Sequence, residues 1–309
     1  MSSTLPPIIH IGFPKTATKW FQTQFYPNIE GGQYFHRDFV RKLLIQPDIW
    51  EFNEGFVKKE FSETSQNNRI LICEELLVGG LDIGFGIGEF IKEVAERIKK
   101  TFPEGEIVIF IRNQEQMILS TYSQYIKAGG TFSLNTYVNS QTRFKAFFKN
   151  HHLFNLKFFE YDRIIELYVS LFGRDKVHIF LYEEFAINPE QFIDNYCTEM
   201  GIEKNSISNM SMVMNPRLSN ISLFIFRLLN HFTRKNTAYK KYYFNLNKIY
   251  FYTLSLTRII DQIKITKRKK QQKLPPPLKN RIQDYYKASN NRLTKYISIN
   301  RLKQFKYPL

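Results

Sequence analysis

The sequence predicts an α/β protein with a central parallel sheet flanked by helices and a mostly helical C-terminal half. Strand and helix patterns alternate through the first half, which is typical of parallel strands joined by crossover helices. The stretch 107–111 (IVIFI) has the unbroken hydrophobicity of a strand buried on both faces. The second half contains mainly helical patterns and is punctuated by three prolines at 275–277.

The elements follow in order. Strands are predicted at 8–11, 69–73, 107–111 and 176–181. The turn Gly12-Phe13-Pro14 leads from the first strand into a helix that begins near Thr16. A second helix is predicted over 89–101, where apolar residues recur at helical spacing, and a third from about 115 to 127.

The composition is that of a folded protein with an anionic partner. The 309 residues are 43% hydrophobic, which excludes a wholly disordered chain, and the patterns exclude collagen and coiled coil. Lys and Arg number 44 against 28 Asp and Glu, a net charge of +16. Such a balance needs nucleic acid, a membrane surface, or an anionic cofactor or substrate.

Most of the excess charge lies in one segment. Between Arg234 and Lys273 there are twelve Lys or Arg and one acid, Asp261, interleaved with tyrosines and phenylalanines. The segment is compatible with an amphipathic helix pair that covers the site or meets a membrane, and equally with a solvated basic extension.

The cellular location is predicted to be cytoplasmic. The first residues lack a basic region followed by an apolar one, and no run of about 18 apolar residues occurs later. Cys73 and Cys197 are too few for a disulfide framework or a cysteine metal cluster, so both are expected to be buried packing residues.

The residues best suited to binding an anion lie in the turn after the first predicted strand. A turn between a buried strand and a helix directs backbone N–H groups and the positive helix end to one point, which favours an anion. Lys15 adds a charge there, Thr16 and Thr18 add hydroxyl donors, and Ala17 leaves the backbone accessible. The order of residues is not that of a Walker A loop. In the alternative interpretation this segment only starts a helix and Lys15 is solvated.

Residues 14–20 resemble the phosphosulfate loop of the sulfotransferase family, which reads roughly P-K-[ST]-[GA]-T-[TS]-[WF]. Pro14 to Thr18 and Trp20 match it. Lys19 departs from it, because a second hydroxyl residue usually stands there.

A second match lies downstream. Arg112 ends the 107–111 strand and Ser120 follows eight residues later. In the family, an Arg and a Ser so placed hold the 3′-phosphate of 3′-phosphoadenosine 5′-phosphosulfate (PAPS). The resemblance also implies that Tyr182 lies near the adenine, that Arg217 belongs to a late loop closing over the nucleotide, and that the C-terminal segment is similar to the terminal helix of bacterial members.

A base must accept the proton of the acceptor hydroxyl. The 69–73 strand runs into Glu74-Glu75, and the family places a base at the end of this strand. We expect Glu75 to be the base, with Glu74 second and His36 a weaker candidate; adjacent residues of an extended strand face opposite sides, so only one glutamate should face the site. In the alternative interpretation, Glu74 and Glu75 are both surface carboxylates without a catalytic role. His10 is expected to be a core residue.

The resemblance as a whole implies a P-loop-NTPase-like fold and sulfuryl transfer from PAPS to a hydroxyl of a glycan, glycolipid or other alcohol, without a metal. A single domain, 1–309, is expected, with a core at 7–230, a basic and aromatic extension at 231–273 and a C-terminal helix at 274–309. The predicted partners are PAPS and the acceptor, with peripheral contact to the inner face of an anionic membrane; nucleic acid is not expected. The alternative is a non-catalytic polyanion- or nucleic-acid-binding protein that uses residues 234–273.

Overall fold

A computed structural model of the chain describes residues 5–79, 90–139, 141–146, 149–152, 154–203, 219–232, 243–244, 246 and 273–309, with backbone alone for 141–146 and 149–152.

The strands in these residues are β1 (Ile8–His10), β2 (Gly32–Phe35), β3 (Arg69–Cys73), β4 (Glu106–Ile111), β5 (Gln141–Ala146), β6 (Lys149–His152) and β7 (Val177–Leu181). Five of them form a sheet in the order β2-β3-β1-β4-β7, and all neighbours in it are parallel. β5 and β6 form a separate antiparallel hairpin. The predicted parallel sheet is confirmed.

The helices of the described residues are α1 (Thr18–Trp20), α2 (Arg37–Val40), α3 (Glu54–Ser65), α4 (Ile91–Thr101), α5 (Gln114–Lys127), α6 (Leu134–Asn139), α7 (Tyr161–Phe172), α8 (Tyr182–Ile187), α9 (Pro189–Met200), α10 (Asn220–Leu229), α11 (Pro276–Leu293) and α12 (Ile299–Gln304). Wider π-helical turns continue α1 and α2 at Phe21–Phe25 and Arg41–Ile45. Short 3₁₀ turns lie at Tyr26–Asn28, Glu75–Val78, Leu156–Phe159, Arg174–Lys176 and Asn230–Phe232.

The sheet separates two apolar clusters because side chains alternate along a strand. On β4, Ile107, Ile109 and Ile111 enter one cluster, whereas Val108 and Phe110 enter the other. All five are fully buried, as the sequence predicts. The sheet therefore carries helices on both faces.

The C-terminal helices pack on the first cluster. Tyr286 of α11 is fully buried, and its hydroxyl donates to the Leu156 carbonyl at 2.8 Å. Arg292 forms an ion pair with Asp162 of α7 at 2.5 Å. The one C-terminal helix expected over 274–309 is instead two, α11 and α12, because a turn at 294–297 separates them.

β2 and the β5–β6 hairpin were not predicted. β2 has the sequence GQYF, which lacks an apolar run, and in the five-stranded sheet it pairs with β3 alone. The hairpin strands are rich in polar residues, so neither shows the alternation that identifies a strand. The mostly helical second half is confirmed for those of its residues that the structure describes.

Candidate active site

The predicted site residues follow the carboxyl ends of the parallel strands. Lys15 follows β1, Glu75 follows β3, Arg112 follows β4 and Tyr182 follows β7. Carboxyl ends of parallel strands share one edge, and ligands of open α/β sheets bind there, where the strand order reverses. β1 lies between β3 and β4, so the loop after β1 occupies that reversal.

The loop after β1 is held in an unusual backbone conformation. Lys15 and Ala17 both have positive φ, 71° and 69°, although neither is glycine. Left-handed residues among ordinary ones turn successive N–H groups toward one side, the geometry of an anion-binding concavity. The Thr16 hydroxyl donates to the Phe13 carbonyl, and the Thr18 hydroxyl lies 3.4 Å from the same oxygen. Both threonines are buried and stabilise the loop.

The lysines and the tryptophan of this segment lie in different environments. Lys15 and Lys19 are exposed. Trp20 is buried, with its ring 5.0 Å from Phe185 and 6.1 Å from Phe25 between centroids. α1 begins at Thr18, two residues later than the predicted start near Thr16, since Ala17 adopts the left-handed conformation.

Arg112 is a buried cation beside this loop. It is 4% exposed, and Nη1 donates to the Lys15 carbonyl at 2.9 Å. The guanidinium carbon lies 4.3 Å from the centre of the Tyr182 ring. Its Nε is buried and has no hydrogen-bond partner. Burial lowers the pKa of Arg112, as expected for a cation removed from water.

The turn that carries Arg112 is fixed from several sides. The Tyr161 hydroxyl donates to the Arg112 carbonyl at 2.7 Å. The Asn113 N–H donates to Glu183 at 2.8 Å, and Glu183 also accepts from the Tyr307 hydroxyl at 3.1 Å. Through Glu183, Tyr307 of the C-terminal segment thus supports the turn that carries Arg112. Sequence reasoning assigned no site role to Tyr161, Asn113, Glu183 or Tyr307, since their spacing along the chain gave no signal.

Ser120 lies on α5, the helix that begins directly after the Arg112 turn. It is buried and stands eight positions after Arg112. At about 3.6 residues per turn, Ser120 lies about two turns from the start of α5. Arg217, the remaining predicted nucleotide contact, lies outside the described residues.

Glu74 and Glu75 differ in surroundings. Glu74 is fully buried; Oε1 accepts from Arg41 at 2.8 Å and from the Leu76 N–H at 2.9 Å, and Oε2 lies 3.7 Å from Arg37. Glu74 therefore caps the Glu75–Val78 turn within an ion-pair network. Arg37 and Arg41 were missed because their helix follows the unpredicted strand β2.

Glu75 is only partly buried. Burial raises its pKa, and the adjacent Glu74 carboxylate raises it further. Arg37, Arg41 and Lys15 act in the opposite direction without reversing the shift. A carboxyl group with a raised pKa is better suited to accept a proton near neutral pH than an ordinary one.

His36, the weaker base candidate, and His10, the predicted core residue, differ in burial. His36 is exposed and caps α2, with its Nδ1 3.4 Å from the Asp38 N–H. His10 is fully buried, stacks on Phe110 at 4.7 Å and contacts the Tyr26 hydroxyl through Nδ1 at 3.2 Å. Burial lowers the pKa of His10 to about 3, so it stays neutral. The prediction that His10 is a core residue is confirmed.

Cys73 and Cys197 are buried thiols that form no disulfide, as predicted. Within the described ranges no group of three or more His, Cys, Asp or Glu is arranged to hold a metal ion. Nor do those ranges contain a helix that is long and apolar enough to cross a membrane.

Neither a family model nor a curated protein sequence matches this chain. The fold, however, is similar to the crystal structure of a sulfotransferase from Alicyclobacillus acidocaldarius. The TM-score is 0.51 at 16% identity, and the match covers 72% of this chain and 94% of that chain.

The chain has a sulfotransferase fold.

Two further sulfotransferase structures match at TM-scores too low to add weight. A sulfotransferase domain from the curacin biosynthetic pathway gives 0.38 at 10% identity, covering 69% of this chain and 82% of that one. A sulfotransferase from Mycobacterium tuberculosis H37Rv gives 0.37 at 9% identity, covering 68% and 73%. Because one fold hosts many activities, the sulfotransferase fold alone does not assign a reaction to this chain.

Proposed function

We propose that this protein is a PAPS-dependent sulfotransferase that sulfates a hydroxyl of a glycan, glycolipid or other alcohol. The products are a sulfate ester and 3′-phosphoadenosine 5′-phosphate. One observation carries the proposal: the loop of Lys15, the buried Arg112 and the partly buried Glu75 meet at the carboxyl edge of a sheet with the sulfotransferase fold.

The residues present fit the nucleotide donor. Arg112 is a buried cation whose Nε lacks a partner, so an anionic ligand would satisfy an unpaired donor and offset the cost of burying the charge. We assign the 3′-phosphate to Arg112 and Ser120, and the adenine side to Tyr182, whose ring already stacks on Arg112. Arg217 is proposed to close over the nucleotide.

The loop after β1 would hold the 5′-phosphosulfate. The backbone N–H groups of residues 15–19 are the proposed donors, and Ala17 offers no side chain beyond Cβ to obstruct them. The Trp20 N–H already donates to the Ala17 carbonyl at 2.8 Å, so Trp20 is proposed to hold the loop by packing. The hydroxyls of Thr16 and Thr18, which lie against the Phe13 carbonyl in this structure, are proposed to turn from it and donate to the ligand when it binds. PAPS supplies an activated sulfuryl group. The exposed ammonium of Lys15 would stabilise negative charge on the oxygen from which that group departs.

Glu75 is proposed as the general base. One of its carboxylate oxygens would accept the proton of the acceptor hydroxyl as the oxygen–sulfur bond forms. Glu74 is proposed in second place because its carboxylate is already bound to Arg41 and to the Leu76 N–H. His36 remains the weaker candidate, since it is exposed and paired with Asp38.

The proposal also covers the location of the protein and the organisation of its chain. We place the protein in the cytoplasm, in peripheral contact with an anionic membrane, with residues 1–309 as one unit and residues 231–273 serving the acceptor. No metal and no nucleic acid are required by this scheme. Most of 231–273 lies outside the described residues, so the role proposed for this segment is supported by its charge in the sequence.

Lys15→Ala tests the proposal against the polyanion-binding alternative. Turnover of labelled PAPS with host extract as the acceptor source should nearly vanish, because the lost charge matters most as the leaving group forms. Lys59→Ala, an exposed lysine on α3, is the matched control and should retain wild-type turnover. Turnover by Lys15→Ala within a few-fold of wild type would refute the mechanism. Polyanion binding that survives Lys15→Ala and falls steeply with salt, without any turnover by the wild type, would favour the alternative.

A further inference from the structure

Helix α10 is apolar around most of its circumference, and its orientation is fixed. Leu223 and Phe226 are buried, and α10 packs against α5. In the following turn, Asn230 is buried and its Nδ2 donates to the carbonyls of Ile126 and Gly130, each at 2.8 Å. Because this side is anchored, the opposite side of α10 must point outward.

The outward side is also apolar. Ile221, Phe224 and Leu228 are 53%, 54% and 46% exposed, and Phe232 in the following turn is 39% exposed. Their spacing of three, four and four residues places them in one stripe along the helix. A surface helix normally places polar residues on its outer face. An apolar outer stripe therefore indicates that this face of α10 contacts something other than water.

A second segment extends the stripe. The Tyr243 N–H donates to the His231 carbonyl at 2.7 Å, and the Leu246 N–H donates to the Phe232 carbonyl at 2.9 Å. Tyr243, Phe244 and Leu246 are themselves 74%, 65% and 50% exposed. We call these three residues and the four of the stripe the α10 face. It contains half of the exposed large apolar side chains in the described part of the chain, and such clustering marks an interaction surface.

The sequence around the α10 face is strongly cationic. From residue 204 to residue 260 there is no Asp or Glu, and 234–273 carries twelve Lys or Arg against Asp261 alone. A partner that is apolar where it meets the stripe and that also carries negative charge would match both the side chains of the α10 face and the charge of the neighbouring sequence. A second copy of this chain would bring two acid-free regions together, which like-charge repulsion opposes.

An anionic lipid surface meets both requirements. α10 has ten residues, about 15 Å of helix, whereas a bilayer core is about 30 Å thick, so it can lie along the interface but cannot span it. Phe, Leu and Ile insert at the headgroup boundary, and nearby Lys and Arg attract anionic headgroups. We propose that the α10 face docks this protein on an anionic bilayer, with α10 in the plane of the membrane.

The proposal rests on the membrane contact of the proposed function, which it assigns to α10, but it is tested apart from the proposed reaction, because binding is measured without PAPS or turnover. The full chain is sedimented with vesicles of phosphatidylcholine, with and without about one third phosphatidylglycerol. Wild type should bind the anionic vesicles and not the neutral ones. Phe224→Gln/Leu228→Gln keeps good helix formers and should lower the partition coefficient roughly tenfold or more, since two half-exposed apolar side chains no longer insert.

The matched control is Ile49→Gln/Ile187→Gln, which removes two apolar side chains of 71% and 73% exposure elsewhere. It should bind within about twofold of wild type. Neutralising Lys267, Arg268, Lys269 and Lys270 together should also weaken binding, and 0.5 M salt should mimic that loss. Circular dichroism and thermal melting confirm that each variant is folded.

Phe224→Trp gives a direct readout that does not depend on loss of binding. Its fluorescence should shift to the blue when anionic vesicles are added, as an indole moves from water to the interface. Absence of wild-type binding, equal binding by the α10 variant and wild type, or no added shift from Phe224→Trp would each overturn the proposal. So would a wild-type dimer in sedimentation equilibrium that the α10 variant converts to monomer, because the face would then be covered by a second copy.

Discussion

Glutamine substitutions at Glu74 and Glu75 should separate chemistry from stability at two adjacent positions. The structure gives the two carboxylates different tasks: Glu74 is buried within an ion-pair network, whereas Glu75 is partly exposed at the edge of the sheet. Each variant removes one negative charge and keeps the size of the side chain. We therefore expect opposite effects on turnover and on the free energy of unfolding.

For Glu75→Gln, kcat should fall by roughly 10²–10⁴-fold, the usual contribution of a general base. The Kd for PAPS should hardly change, because Glu75 is assigned to the acceptor side. Stability should be equal or higher above neutral pH. A carboxyl whose folded pKa is raised binds its proton more tightly in the native state, so the protein loses stability as pH rises from the unfolded pKa through the folded one. Glutamine removes that loss.

For Glu74→Gln, the free energy of unfolding should fall. Breaking a buried ion pair by removing one partner costs about 3–5 kcal/mol. Glutamine retains an acceptor for Arg41 and the Leu76 N–H, and Arg41 is partly solvated, so we expect about 2–3 kcal/mol. At about 2 °C per kcal/mol for a chain of this size, Tm should drop by roughly 4–6 °C. Activity at the pH optimum should largely survive.

The pH profile gives an independent check. Glu74 raises the pKa of Glu75, so Glu74→Gln should move the acid limb of kcat to lower pH while Glu75→Gln abolishes that limb. Turnover of labelled PAPS against pH, together with urea unfolding, measures both variants. Loss of kcat in Glu74→Gln with full activity in Glu75→Gln would transfer the base role to Glu74. Full activity in both would return it to His36 or another residue and refute the assignment.

Two further predictions concern other residues of the fold. Arg112→Ala and Ser120→Ala should weaken binding of 3′-phosphoadenosine 5′-phosphate far more than that of adenosine 5′-phosphosulfate, which has no 3′-phosphate; equal losses in calorimetry would reject the 3′-phosphate assignment. Burial lowers the pKa of His178, but its hydrogen bonds to Glu199 and Glu106 outweigh burial and raise it overall. The stabilisation from protonated His178 should be complete below about pH 6.5, the unperturbed value, and disappear as pH rises through the higher folded pKa. Urea unfolding should therefore show a larger deficit for His178→Gln at pH 6 than at pH 8.5, and a constant deficit would contradict this.

Local patterns sufficed for part of this protein. The strands at 69–73 and 107–111 were predictable because burial on both faces demands unbroken apolar runs. The location of the candidate site was predictable too: parallel strands place all their carboxyl ends at one edge, so residues that directly follow strands meet there whatever their separation in sequence. This is why Lys15 and Arg112, 97 residues apart, are joined by a hydrogen bond.

Only the tertiary structure decided the rest, because those features depend on contacts between distant segments. β2 is held by pairing with β3 rather than by its own pattern, and the helical segment that follows it brings Arg37 and Arg41 to Glu74. The sequence could state that one of two adjacent glutamates faces the site. Those arginines decide that Glu74 is the carboxylate buried in an ion-pair network. In the same way, the hydrogen bond from Asn230 to the end of α5 decides which face of α10 is anchored. Both outcomes depend on contacts between distant segments, because burial and pairing are properties of the assembled chain.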